Sequence, residues 1–405
     1  MLMTLAWRNV WRNKLRSGIM IAAMIFGLLG ALLMVGFVQA MTENMVDNAI
    51  RYQTAHLQIH NHKFLLNEEL SAWIPEAENL AASIRQQSGV EAVTARQVVD
   101  GMLASAASSR GVRINGIRPQ DEIRVTDLQQ SLVAGKMLTE TGRNPILVSR
   151  RNADKLNLRL GSKVVLTFTN IDGDVTGAAF RIVGLFKTPA SAFDDSNIFV
   201  RRSDLARFSG LDQAHEIAIR IADDQQLTEL QEKITTLVEE QGVVQNWGEV
   251  QPVLAAMTGS MDIANAIVAG VFIAALGFGI INIMMMSVFE RTREFGVLMA
   301  IGMTHARVLL LIIMESVLLG AVGGLLGLAA GRLMLAITDQ FGLPFGAVAE
   351  GLGAYGVDAV LYPSVKGSFY LLMFGMVLFT SLVAALYPAR QILKKRPSEA
   401  LAERH

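Results

Sequence analysis

The residues with most to offer chemically lie in one short charged stretch between two uncharged apolar runs, Phe289-Glu-Arg-Thr-Arg-Glu-Phe-Gly-Val-Leu-Met-Ala-Ile-Gly302. On a helix, Phe295, Leu298, Met299 and Gly302 share one face, and Glu290, Arg293 and Glu294 share another. Gly302 can end such a helix and Thr304 can cap the next. The pattern fits a separate amphipathic helix that grips something in the aqueous phase. The alternative is a helix that only lies on lipid, but acids among arginines suit anionic headgroups poorly.

Glu315 is the one acid inside an apolar run, where a charge costs a few kcal/mol even on lenient scales. Such a residue faces protein or snorkels, and a proton relay would need further intramembrane partners that the sequence does not make evident. Gly323, Gly327 and Gly331 recur every four residues in the same run, with Gly320 and Gly324 beside them. That small-residue face allows close packing against another span or a second copy of the chain. Met284, Met285 and Met286 read as adaptable apolar surface.

Other chemistry has less support. His56, His60 and His62 fall on the even side of a strand whose odd positions, Leu57 and Ile59, are apolar, and Gln58 shares their face. A solvated strand face is the favoured reading, because a metal site would need further placed ligands. Asp172 and Asp174 around Gly173 lack the additional acids of a calcium loop and read as a hairpin turn. No G-x-x-x-x-G-K-[ST] loop, G-x-S-x-G elbow or H-E-x-x-H pair occurs, so an enzyme has little to stand on. There is no cysteine, which removes disulfides, thiol nucleophiles and thiolate metal sites.

The elements that must position the charged stretch belong to a membrane protein. The 405 residues are 52% hydrophobic and only 18% charged. Residues 17–40 carry no charge, and at about 1.5 Å per residue they cross a roughly 30 Å hydrocarbon core. Residues 264–289, 308–331 and 369–388 complete four spans. Val38-Gln39-Ala40 resembles a cleavage site, but the apolar run before it is too long for a signal peptide, so the first span is expected to be retained.

The formal net charge is zero, yet residues 41–262 hold 22 basic and 28 acidic residues, leaving the excess of basic charge beside the spans. Arg8, Arg12, Lys14 and Arg16 precede the first span, Arg291, Arg293 and Arg307 lie between the second and third, and Arg390, Lys394, Lys395 and Arg396 follow the fourth. By the positive-inside rule both termini and the 290–303 segment are cytoplasmic, and 41–262 and the 332–368 loop are outside. Trp7, Trp11 and Leu15 beside Arg8, Arg12 and Arg16 fit a helix at 1–16 in the headgroup layer, or a cytoplasmic extension of the first span.

Within 41–262, strand–helix–strand patterns recur at 55–99 and 216–246, which implies one α+β subdomain, 41–100 with 211–247, interrupted by a β-rich insertion at 101–210. Residues 248–262 read as helical and run into the second span.

The 289–303 block followed by Glu315, together with Tyr387-Pro-Ala-Arg390 and Arg396-Pro-Ser-Glu-Ala-Leu401, resembles the FtsX/MacB/LolC-LolE class of ABC transporter permeases. Leu5-Ala-Trp-Arg-Asn-Val-Trp-Arg-Asn13 and Ala55-His-Leu-Gln-Ile-His60 are similar to LolC/LolE-type permeases. The resemblance implies an inner-membrane protein with four transmembrane helices and a large α+β extracytoplasmic domain of Porter and Sabre type between the first two. It implies Glu290, Arg291, Thr292, Glu294, Gly296 and Gly302 as the element that couples to a separate ABC ATPase, present in two copies. ATP and magnesium would be bound there, and this chain would bind no cofactor or nucleic acid. A second permease protomer, identical or homologous, and a lipoprotein or lipid-like cargo are the other implied partners, with FtsX-like signalling or MacB-like efflux as alternatives. A periplasmic chaperone is implied too, but the long, proline-containing hairpin on which LolC hooks it is replaced here by the short, proline-free 167–181. Docking would have to fall to another surface.

Overall fold

The computed structural model describes residues 2–106, 108–239, 241–344 and 349–393. The C-terminal motif at 396–401 lies outside them. Four helices, Lys14–Thr54, Pro252–Glu290, His305–Phe341 and Gly367–Gln391, are long and apolar enough to cross a membrane. Each exceeds the roughly 20 residues that a bilayer core requires. The protein is an α-helical membrane protein with a large α+β domain between its first and second spans.

The helices outrun the apolar windows of the sequence. The first runs Lys14–Ala49 and closes in a π-helical turn, Ile50–Thr54. The third runs His305–Phe341, so 332–341, expected as loop, is helical. Nothing in 332–341 breaks a helix until Gly342, whose φ of 69° suits glycine and stops it. The stretch before the second span is not one helix throughout: Trp247–Val250 stands apart, and Pro252–Gly259 leads into Met261–Glu290 across the single turn residue Ser260.

The chain divides into two compact units. The helical unit comprises Met1–Met41, Gly259–Pro344 and Val360–His405. Its core joins Ala6, Val10, Met20 and Met24 to Ile280, Met284, Phe295, Val308, Leu311 and Ala384. The glycine face of the third span is buried against the first and fourth spans of the same chain: a Cβ on Gly323, Gly327 or Gly331 would meet Met24, Leu28 or Leu32, and one on Gly320 or Gly324 would meet Ser381 or Val377. Absent side chains are what let these backbones approach.

The α+β unit spans Thr42–Thr258 and Phe345–Ala359. Its strands are β1 (Leu57–His60), β2 (Val90–Ala104), β3 (Ser109–Ile117), β4 (Leu132–Gly135), β5 (Pro145–Ser149), β6 (Lys163–Thr169), β7 (Val175–Phe186), β8 (Asn197–Arg201), β9 (Glu216–Ile221) and β10 (Val243–Asn246). They form one sheet in the order β10-β1-β9-β2-β3-β8-β5-β7-β4, with β6 paired to β2 and β7. The first four are antiparallel, and with helices Ala77–Arg85 and Leu227–Val238 they make a split βαβ module. Leu57, Ile59, Val93, Ile217 and Ile219 pack beneath those helices with Leu80, Ile84, Leu230 and Ile234. The β-rich module has its own core around Leu103, Ile114, Val148, Leu166 and Phe180.

Two expectations are corrected here. The insertion does not begin at a strand end: β2 pairs with β9 through Val90–Arg96 and with β3 through Gln97–Ala104, so one strand serves both modules. The even face of β1 is not solvated: His56, Gln58 and His60 are 8%, 4% and 6% exposed, and only His62 is open. The alternation was right, but the face it defines is covered by other parts of the unit. Val125, in helix Pro119–Val125, packs on Ala92 and Ala218, and Phe64 stacks on the His60 ring.

Candidate functional site

Thr292–Ala300 forms a short helix of its own between the second and third spans. Arg291, at φ −106° and ψ 12°, leaves helical geometry and separates it from the second span. Its far end closes with Gly302 N–H donating to Met299 O (3.1 Å) and Met303 N–H to Leu298 O (3.0 Å) around a Gly302 φ of 100°. That is a Schellman termination, which demands a left-handed residue where glycine carries no Cβ penalty. Thr304 occupies the N-cap of the third span, but its side chain makes no capping bond.

The candidate residues sort by exposure. Phe295 is buried in the helical core with Leu298 and Met299 packed beside it, while Arg293, Glu294 and Val297 face outward. Thr292 and Gly296 are buried, and the Thr292 hydroxyl donates to Phe289 O at 2.8 Å, so neither offers a contact surface. Glu290, Glu294 and Gly302 are exposed, and Arg291 is turned inward.

The charges form a ladder. Arg12 Nη2 donates to both carboxylate oxygens of Glu294 at 2.7 and 2.8 Å, and Arg16 pairs with Glu290. Arg291 Nε donates to Glu294 at 2.9 Å, while its Nη1 reaches both oxygens of Glu315 at 3.1 and 3.2 Å. Partial burial pushes the Glu294 carboxyl up, but the hydrogen bonds and charges of Arg12 and Arg291 outweigh it and hold the group below its ordinary value. Glu315, 6% exposed, faces protein and has the cationic partner that a buried carboxylate needs. A recess of about 300 Å³ opens among these groups, lined also by Asn9 and Asn13.

Arg12 and Arg16 are the site residues that sequence reasoning missed. Their stripe fits a headgroup-layer helix or a cytoplasmic extension of the first span, and neither reading supplies protein partners; yet Arg12 and Arg16 are four apart, as are Glu290 and Glu294, and the two steps match pair for pair. Ala6 and Val10 anchor helix Leu2–Arg12 in the core, leaving Trp7 and Trp11 outward.

A second feature of the helical unit is apolar. A recess of about 670 Å³ lies among the first, second and third spans, lined by Leu33, Phe37, Ile267, Val271, Phe272 and Met334, with Thr338 its one polar side chain. Among the described residues no group of histidines and acids is placed to hold a metal ion.

Comparison with known proteins agrees with this layout. The model of the MacB-like periplasmic core domain matches residues 17–237, and that of the FtsX-like permease C-terminal domain matches 266–397. The chain is 25% identical to the lipoprotein-releasing system transmembrane protein LolC of Neisseria meningitidis serogroup B (strain ATCC BAA-335 / MC58) over 339 residues, 80% of either chain. It is 27% identical to the macrolide export ATP-binding/permease protein MacB of Brucella abortus (strain 2308) over 260 residues, 60% of this chain and 38% of that protein. It is also 27% identical to the uncharacterized ABC transporter permease YknZ of Bacillus subtilis (strain 168) over 239 residues, 56% of this chain and 55% of that one. The chain thus spans well under half the length of the MacB relatives that it matches. The periplasmic region of MacB from Actinobacillus actinomycetemcomitans is similar at 17% identity and a TM-score of 0.37, covering 52% of this chain and 97% of that one. Since the first family model alone takes in more than half of the sequence and the second most of the remainder, the chain belongs to the MacB/FtsX/LolC family of ABC transporter permeases.

Proposed function

We propose that this chain is the membrane subunit of a lipoprotein-releasing type of ABC system in a bacterial inner membrane, and that helix Thr292–Ala300 receives the stroke of a separate ATPase on the cytoplasmic side. The observation that carries this reading is the ion-pair ladder. Glu294 is held by Arg12 of the N-terminal helix and by Arg291, which in turn holds Glu315 of the third span. A push on the outward face, at Arg293, Glu294 and Val297, therefore passes to the first and third spans through charge pairs instead of being lost in a hinge. The first and second spans flank the α+β domain in the chain, so their movement reaches it.

ATP and magnesium would belong to the partner, two copies of which would act on two permease protomers. The apolar recess among the first three spans suits acyl chains, which supports a lipid-anchored cargo. The LolC alignment, which spans 80% of both chains, supports the same choice over macrolide export. The test is reconstitution in liposomes with the ABC ATPase that copurifies with it. Glu294→Lys should uncouple ATP hydrolysis from release of a lipid-anchored substrate; unchanged coupling would overturn the assignment.

A further inference from the structure

The split βαβ module covers one face of its sheet with two helices, and the other face carries polar side chains that are nevertheless buried. Gln58 and His60 of β1, Arg96 of β2 and Glu216 of β9 lie there, all 9% exposed or less. They border a cavity of about 510 Å³ whose opposite wall comes from the β-rich module, through Asn115, Asn197 and Phe199.

The arginines in this cavity are already spent on carboxylates, and the Glu249 carboxylate accepts from Asn246 N–H and Gln231 Nε2. Arg96 Nη2 donates to Glu122 at 2.7 Å and its Nη1 to Glu216 at 2.5 Å, and Arg113 pairs with Glu68 and Asp100. What is left is neutral hydrogen-bonding capacity. The side-chain amides of Gln58 and Gln245 have no hydrogen-bond partner among the described residues, and His60 Nδ1 is buried without one. A buried polar group left unpaired costs about 1–3 kcal/mol, and His60 Nδ1 is such a group, with the open amides of Gln58 and Gln245 beside it on the cavity wall. Gln58 and Gln245 are also direct cross-strand partners on β1 and β10, so their side chains stand about 5 Å apart on one face.

We infer that this cavity binds a neutral, extended peptide segment, with Gln58 and Gln245 bracketing a peptide group. Each primary amide both donates and accepts. A peptide unit offers its N–H and C=O in fixed, opposite directions, which two amides side by side can satisfy together; anionic ligands find no unpaired cation. Phe64 and Phe193 supply apolar walls for side chains. The cavity also reaches Gln53 and Gln251, which are hydrogen-bonded to each other at 2.9 Å at the points where the first membrane helix ends and the second approaches. An occupant would press on that link.

The test uses the full-length protein in nanodiscs, titrated calorimetrically with an N-acetylated, C-amidated tetrapeptide of alanine and serine, and in parallel with the disaccharide chitobiose. Saturable peptide binding is expected, at least tenfold weaker in Gln58→Leu/Gln245→Leu. Gln245→Leu alone, at the edge strand, should weaken it severalfold with the thermal midpoint unchanged, which separates a lost contact from a lost fold. Binding of chitobiose alone, binding of neither probe, or an affinity indifferent to both variants would overturn the inference.

Discussion

Arg12 and Glu294 are 282 positions apart and meet in a two-pronged ion pair, with Arg12 Nη2 at 2.7 and 2.8 Å from the two carboxylate oxygens. Each sits beside a break in its helix, at Asn13 and Arg291 respectively. The pair thus ties two short helices together at the points where each could otherwise swing. Arg12→Glu should lower coupled transport about as much as Glu294→Lys, and the double variant Arg12→Glu/Glu294→Lys should recover part of it. Rates of cargo release per ATP hydrolysed in proteoliposomes decide this. Because both side chains are half exposed, little change in thermal stability is expected.

Arg291 and Glu315 behave differently, since both are largely buried. Arg291→Ala leaves a carboxylate without its cation and should cost on the order of 3–5 kcal/mol, whereas Arg291→Met/Glu315→Leu should be far closer to wild type. Thermal unfolding in detergent would show a large fall in midpoint for the single variant and a small one for the double.

The glycine face of the third span should tolerate alanine unevenly. A Cβ on Gly320 would come within 2.1 Å of Ser381 Oγ and 2.8 Å of its Cβ, while one on Gly324 has 3.3 Å to the nearest atom, on Val377. Gly320→Ala is expected to destabilise by about 1–3 kcal/mol through overpacking and to be relieved by Ser381→Gly; Gly324→Ala should be close to neutral. The same midpoint assay reads both.

Most of the fold was legible because its signals are local. Uninterrupted apolar length marked the four spans, period-two alternation marked β1, and the repeated strand–helix–strand order placed β9 and β10. The sheet order was not legible, since β3 and β8 pair in parallel between residues 84 positions apart, such as Arg113 and Asn197, that no local pattern links. The burial of His60 was missed because alternation tells which side chains share a face but not what covers it: the Phe64 ring folds back over His60 from beyond the strand end, and Glu216 reaches it from β9. In the charged site, the helix and its glycine stop could be read directly. The partners Arg12 and Arg16 could not, although the matching four-residue steps of Arg12/Arg16 and Glu290/Glu294 were a usable signal.

The α+β unit should carry two opposing pH dependences. Burial would raise the Glu216 carboxyl, but Arg96 and His60 outweigh it and hold the group at about 2 against an ordinary 4.5. Its stabilisation is complete above pH 4.5 and is lost as pH falls toward 2. Asp194 goes the other way: burial outweighs the Thr188 hydrogen bonds and pushes it up to about 6 from 3.8. The folded state therefore holds a proton that the unfolded chain releases, and stability declines as pH rises from about 4 to 6. Denaturant titrations across this range should show that decline, and Asp194→Asn should remove it.

The central claim is that helix Thr292–Ala300 docks on the partner ATPase, and the absence of native cysteine makes it directly accessible to cross-linking. Val297 is 46% exposed on the outward face of that helix, and Val175, 76% exposed, lies in the α+β unit. In membranes containing the proposed ABC ATPase partner, a Val297→Cys variant treated with a thiol-to-amine cross-linker should give a permease–ATPase adduct that ATP binding changes in yield. A Val175→Cys variant should give none. An adduct from Val175→Cys, or none from Val297→Cys under conditions where ATP hydrolysis remains coupled, would contradict the account.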